Sequence, residues 1–349
     1  MTNKKDNLTN ISQLGEFGLI EHLTKNFKNK NKKTIMGIGD DAAVIENGDS
    51  SIIITKDIFS EGVHFDITYS PLKHLGYKVV TANLSDIYAM NGAATHIFAG
   101  IGVTNRYSLE ALEEIYNGIH LACEKYDIDL AGGDTIASKA GLFISVTAMG
   151  NTASEQVVYR KGANEDDLIC VSGNLGGAYA GLLILEREKK VFKANPDMQP
   201  NLDQYSYVLE RQLKPEARKD IIEQLNEAKV KPSSMIDISD GLASEVLHIC
   251  KNSDCGAAIY EEKFPIDKLT DSVANEFNID PSTFALNGGE DYELLFTINQ
   301  NDYEKIKDIK EISIIGHITQ KEAGTKLITT SDNVVELRAQ GWDAFKEEE

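Results

Sequence analysis

Two adjacent carboxylates, Asp40 and Asp41, follow two glycines in GIGDDAAV (37–44). The spacing Gly37, Gly39, Ala42 fits the loose G-x-G-x-x-A fingerprint, in which backbone N–H groups at a helix start face a pyrophosphate. Two aspartates inside such a turn would repel that pyrophosphate. Two readings stay open: a polar surface turn, or a turn in which a cation sits between the aspartates and a phosphate. Acidic residues beside glycine or at the ends of apolar strands recur at Asp57, Asp86, Asp134, Asp237, Asp240 and Glu290-Asp291. Each alone has an ordinary explanation. Asp240 reads as a helix N-cap, Asp134 and Asp291 as turn residues, and Asp86 as a helix residue facing water. As a set they lie next to small residues or apolar runs, where a carboxylate is costly to desolvate unless paired or metal-bound. Lysine and arginine are sparse near these motifs, so pairing is not the obvious answer. Mg²⁺ in phosphate sites takes one or two carboxylates per ion plus substrate oxygens. The set therefore points to several Mg²⁺ ions around a polyphosphate.

Other nucleotide signatures are missing. There is no G-x-x-x-x-G-K-[ST] and no kinase H-R-D or D-F-G set. GNLGGAYAG (173–181) lacks the lysine of a phosphate-binding loop, and tight helix packing explains it equally well. The histidines lie far apart with no H-x-x-x-H, which disfavours zinc. His64, in EGVHF, reads either as a satisfied core histidine or as a ligand contact. A net charge of −20 opposes non-specific binding to nucleic acid or anionic membranes. No run approaches the roughly 18 apolar residues of a membrane span, and the N-terminus has no apolar signal region. Cys123, Cys170, Cys250 and Cys255 form no C-x-x-C pair and read as reduced thiols in a cytoplasmic protein.

The elements that must position these residues alternate between strand and helix. SSIIITKDIF (50–59) is β-branched and apolar, as buried strands are. Residues 71–92 start with Pro, carry apolar residues at helical spacing and end in Asn-Gly, which predicts a helix. A strand at 95–103, a helix at 108–126, a strand-into-turn at IDLAGGDT (128–135) and a strand at 142–150 follow. The charged segment 159–167 reads as a linker. Beyond it, the pattern predicts strand, glycine turn and helix from 168, amphipathic stretches near 203–213 and 215–228, and strand, acidic turn and helix over SSMIDISDGLASEVLHICKN. A glycine turn into a strand at NGGEDYELLFTI and a late strand at ISIIGHIT complete it. The length predicts two domains, and the alternation an α+β chain of two mixed α/β units.

Taken together, GIGDDAAV, TKDIFSEGVHF, NLSDIYAMNG, AGGDT, RKGA, MIDISDGL and GGEDYELL resemble the thiamine-monophosphate kinase family. They occur in the family's order across residues 37–295, and GWDAF matches its C-terminal pattern. The family belongs to the group of aminoimidazole-ribonucleotide and selenophosphate synthetases. The resemblance implies transfer of the ATP γ-phosphoryl to thiamine monophosphate. It implies an N-terminal ATP, metal and dimerisation domain (1–158), forming a β-barrel across a homodimer, and a C-terminal α/β domain (159–349). Carried over position by position, the Mg²⁺ ligands would be Asp40, Thr55, Asp57, Asp86, Asp134, Asp237 and Asp240, with Asp40, Asp57, Asp86 and Asp237 catalytic. ATP would be met by Tyr116, Gly133, Asp134, Arg160 and Ser239, and substrate by His64, Glu290 and Trp342.

One departure is Lys56, where the family commonly has Ser or Thr. In an extended strand Thr55 and Asp57 face one side and Lys56 the other, so the lysine need not disturb the metals. Rival readings are another ATP-dependent synthetase of the same fold and a non-catalytic nucleotide- or thiamine-phosphate-binding protein. A selenophosphate synthetase would carry a reactive Cys or selenocysteine near its N-terminus, and no Cys precedes Cys123.

Overall fold

The computed structural model describes residues 11, 14–197 and 199–340. In chain order the elements of the first half are α1 (Gly15–Thr24), β1 (Thr34–Met36), β2 (Ala43–Asn47), β3 (Ser50–Ser60), α2 (Leu72–Ala89), β4 (Ala93–Val103), α3 (Leu109–Tyr126), β5 (Asp129–Ala137) and β6 (Phe143–Ala153). The second half contributes β7 (Leu168–Ser172), α4 (Gly177–Ala194), α5 (Ser206–Leu213), α6 (Lys219–Glu227), β8 (Ser234–Asp237), α7 (Leu242–Ser253), β9 (Gly256–Tyr260), α8 (Lys268–Glu276), α9 (Pro281–Asn287), β10 (Leu294–Ile298), β11 (Ile312–Thr319), β12 (Thr325–Ile328) and β13 (Val334–Glu336). The result is a mixed α/β fold with two sheets, ordered β1-β2-β3-β6-β4-β5 and β13-β12-β9-β11-β7-β10-β8. Among the described residues, no helix is long and apolar enough to cross a membrane.

In the first sheet β3 pairs antiparallel with β6 along its whole length, and β6 pairs with β4. β5 runs parallel to β4, which requires the crossover that α3 supplies. Side chains on β3 alternate as expected. Ser51, Ile53, Thr55 and Phe59 are buried, whereas Lys56 and Ile58 are exposed. Lys56 turns away from the helices and donates to the Ser145 hydroxyl. The turn expected inside IDLAGGDT does not form; the strand runs on through both glycines to Ala137.

α2 is the element on which both sheets rest. It packs on β3, β4 and β6 of the first sheet, on β8 of the second, and on α3 and α5. Nearly all of it is buried, including the polar Lys78, Thr81, Asn83 and Ser85. One hydrophobic cluster accordingly runs from Ile53, Ile97 and Val146 to Met235, Leu294 and Phe296. The segment 159–167 is no free tether: Tyr159 O accepts from Met235 N, and Ala163 and Asp167 are buried.

Two glycines set how closely α2 approaches α3. A Cβ on Gly76 would lie 1.9 Å from Ile115 O, and one on Gly118 would lie 1.9 Å from Lys73 O. The helices therefore meet backbone to backbone. Gly118→Ala should gain about 1 kcal/mol of helix propensity and lose more by driving a methyl into a backbone carbonyl, about 3 kcal/mol or more at such overlap. A lowered thermal midpoint is expected; an unchanged or raised one would show that the helices are not in this contact.

Candidate active site

Residues distant in sequence converge where α2 ends. Asp86 lies in its last turn, Thr55 and Asp57 on the α2-facing side of β3, Asp40 and Asp41 in the loop before β2, and Asp237 at the end of β8. Carboxylate oxygens of Asp41, Asp86 and Asp237 lie within 4.8 Å of one another. Thr55 Oγ1 donates to Asp86 Oδ2 at 2.5 Å, and Ser85 Oγ to Asp237 Oδ2 at 2.7 Å. Asn83 Oδ1 accepts from Asp57 N. Arg160 supplies a guanidinium, donating from Nε (3.0 Å) and Nη2 (2.6 Å) to Asp41 Oδ1. The other oxygen of Asp41, Oδ2, is buried without a hydrogen-bond partner.

The electrostatics follow from this crowding. Burial, then the Asp41 charge, pushes Asp237 and Asp40 up to about 7. Burial, then the Glu16 carboxylate on α1, pushes Asp57 and Asp240 up to about 6. Asp86 is raised well above the usual carboxylate range by burial and by Asp57 and Asp237. Asp41 is raised by burial, against which Arg160 pulls. An orphaned buried oxygen among three close carboxylates fits a hard divalent cation such as Mg²⁺, which prefers oxygen ligands of this kind.

Asp240 lies half-buried just before α7, whose N-cap is Gly241 rather than Asp240. Gly241 has φ +114, and the buried Glu245 reaches back to accept from Asp240 N at 2.9 Å. The acidic turn is tied to GGEDYE by Glu290 N→Ser239 O (2.8 Å) and Tyr292 N→Ile238 O (2.9 Å). Ser239 is exposed, and His64 Nδ1 accepts from Ser60 N. Burial holds the His64 imidazole below its ordinary value, against the pull of Glu290.

A second cluster lies at the sheet edge. Tyr116, Gly133 and Asp134 line one cavity of about 410 Å³ together with Ala99 and Thr135. Gly133 is needed there because a Cβ would lie 1.9 Å from Ala99 O. The register puts Asp57, Val146, Ala99 and Gly133 in one row, and Ile58, Ser145, Gly100 and Asp134 in the next. Asp134 therefore faces the side of the sheet opposite Asp57, apart from the Asp41–Asp86–Asp237 group. Trp342 lies outside the described residues.

Several participants were not assigned from sequence. Asp41 shares with Asp40 the reading of a cation-binding turn but is absent from the ligand set the resemblance implies, and Lys78, Gln212, Glu245 and Glu16 have no role assigned from sequence. Glu245, a few residues beyond a glycine turn at a helix start, carried a readable signal, since acids there commonly reach back to free N–H groups. Arg160 and Lys78 also correct the expectation that cations are sparse here: each sits far from its partner acid in sequence and next to it in space.

The family model for the AIR synthase related protein, N-terminal domain, matches residues 39–152. A thiamine-monophosphate kinase from Buchnera aphidicola subsp. Schizaphis graminum is 35% identical over 340 residues, covering 95% of this chain and 99% of the relative. The chain belongs to the thiamine-monophosphate kinase family. Among solved structures, the thiamine-monophosphate kinase of Aquifex aeolicus matches with TM-score 0.75 and 27% identity, over 91% of this chain and 98% of that one. A structure described as AaThiL complexed with AMPPCP and TMP matches with TM-score 0.83 and 28% identity, over 97% and 100%.

The raised carboxylates make a pH prediction for this family member. Asp40, Asp57, Asp237 and Asp240 take up protons in the folded protein as pH falls through about 7 and 6, whereas in the unfolded chain they do so only near 3.8. Through these four groups the native state binds more protons and its stability rises as pH falls, until the His64, His74 and His248 imidazoles, held below their ordinary 6.5 in the fold, begin to oppose the gain. Without divalent cations, the thermal midpoint should climb between about pH 8 and about pH 6.5, and Mg²⁺ should raise it most at the alkaline end. Scanning calorimetry with and without Mg²⁺ checks this. A metal-free midpoint that falls steadily on acidification, with no Mg²⁺ effect at high pH, would contradict the site.

Proposed function

We infer that this protein is an ATP-dependent kinase that phosphorylates thiamine monophosphate to thiamine diphosphate. The observation that carries the reading is likeness to thiamine-monophosphate kinases over nearly the whole of both chains. The chemistry suits the site. A phosphate monoester has its second pKa near 6, so the acceptor is mostly a dianion at neutral pH and needs no strong base. The obstacle is bringing one anion onto another, which positioned cations and fixed charge remove.

Asp41, Asp86 and Asp237, with Thr55, Asp40, Asp57 and Asp240 around them, would hold Mg²⁺. Such ions supply charge neutralisation of the phosphoryl oxygens. Asp41 enters this set although sequence reasoning left it out. Arg160 orients Asp41 and adds a fixed positive charge beside the phosphates. Tyr116, Gly133 and Asp134, together in the cavity at the sheet edge, would contact the nucleotide, as would Ser239 in the acidic turn. His64 and Glu290 would meet the thiamine moiety, joined by Trp342.

We further propose that residues 1–158 form the ATP, metal and dimerisation domain, that 159–349 form the second domain, and that two copies close a shared barrel. The barrel is supported by an exposed apolar face of the first sheet, where Ile58 is 56% and Phe98 39% exposed, and by the exposed edge strand β5. The four cysteines are free, in keeping with a reducing cytoplasm.

Purified protein given ATP, Mg²⁺ and thiamine monophosphate should yield thiamine diphosphate and ADP in equal amounts, read by chromatography. Absence of thiamine diphosphate would overturn the reading. Asp86→Ala should raise the Mg²⁺ requirement and lower turnover by orders of magnitude while leaving the fold intact. Unchanged Mg²⁺ dependence would remove Asp86 from the metal site.

A further inference from the structure

Lys78 is a buried cation in the middle of α2, its side chain only 6% exposed. Its ammonium lies 2.9 Å from Glu290 Oε2 and donates to Gln212 O at 3.0 Å. Gln212, on α5, closes the triangle by donating from Nε2 to the same Glu290 Oε2 at 2.9 Å. Both contacts converge on one oxygen, Oε2, which fixes the carboxylate from one side. The backbone reinforces this placement: Glu290 has φ +65 and Tyr292 φ +52, and each N–H is tied to the 238–239 turn. A non-glycine residue with positive φ persists only where its surroundings over-determine it. Glu290 also acts electrostatically on His64 and on Asp240.

A lysine buried this deeply is costly unless paired, and removing one partner of such a pair costs far more than removing both. The Lys78 ammonium thus serves two neighbours at once, a carbonyl in the last turn of α5 and the Glu290 carboxylate. We propose that Lys78 is a positioning residue for substrate recognition: from the rigid α2 it fixes the position of the Glu290 carboxylate that meets the cationic thiazolium–aminopyrimidine of thiamine monophosphate. The inference rests on the proposed kinase function and on Glu290 meeting the substrate. Lys78 touches no reacting atom; it acts through Glu290, linking α2 to the loop before β10.

Steady-state kinetics on Lys78→Met, Lys78→Arg, Glu290→Gln and the double variant test it, with thermal melts for folding. Lys78→Met should raise the KM for thiamine monophosphate about tenfold, within the range of coupled contacts, and leave the KM for ATP and kcat near their starting values. Lys78→Arg, which keeps the charge, should recover most of the loss. Adding Lys78→Met to Glu290→Gln should change little further, because the group it positions is already neutral. If the single Met variant does not fold, the double variant, with both charges removed, still reads the coupling against Glu290→Gln alone. Glu290→Gln with unchanged KM would overturn the substrate role of Glu290 on which the inference stands. A raised KM in Glu290→Gln beside an unchanged one in folded Lys78→Met, or fully additive effects, would overturn the role of Lys78 alone.

Discussion

Three carboxylates with oxygens within 4.8 Å of one another, of which Asp41 is paired with the Arg160 guanidinium, are the constraint on which the remaining structure depends. At an effective dielectric near 20, each such pair repels by roughly 3.5 kcal/mol. Three pairs together approach the whole net stability of a domain, about 5–15 kcal/mol. The protein cannot hold these groups ionised by local contacts alone, so their positions must be fixed by well-packed elements. α2 does this from the centre, gripped by α3 through the reciprocal glycine contacts at Gly76 and Gly118. β3 does it from the side, through its full-length pairing with β6. The small donors Thr55 and Ser85 lower the cost by hydrogen-bonding carboxylate oxygens.

The same constraint explains why so much of this site was legible in the sequence. An acid at the end of an apolar strand, or in an apolar helix, stands out because burial without compensation is expensive. The period of two along β3 correctly separated Thr55 and Asp57 from Lys56, and the helical period found α2 within a few residues of its ends. What stayed hidden was pairing between distant segments. Sequence could not say which of Asp40 and Asp41 turns inward, because Arg160 decides it from well over a hundred residues away. Lys78 looked like any helix lysine, since its partner Glu290 lies in the other half of the chain. The glycines of AGGDT were read as a turn, yet Gly133 serves close approach to the β4 backbone inside a continuous strand. α1 escaped notice because it buries none of its residues.

The motif GGEDYE shows a further limit on counting acids. Its successive side chains do four different things. Glu290 is turned to Lys78 and Gln212. Asp291 is wholly buried and accepts from Gly176 N (2.6 Å) and Ala178 N (3.2 Å), satisfying donors at the start of α4 from across the fold. Tyr292 packs into the core shared by both sheets. Glu293 is buried against Arg211 and Arg218 and accepts from Ser172. A helix start with glycine at its N-cap has no side chain of its own to bond its free N–H groups, and Asp291 fills that role. Two of the three acids in the motif thus stabilise the second sheet and its helices, and one faces the site. The positive φ at Glu290 and Tyr292 flanks the change of direction between them. The loop that presents Glu290 is therefore anchored by Asp291 and Glu293, so structural burial and ligand presentation in this stretch are the same set of contacts.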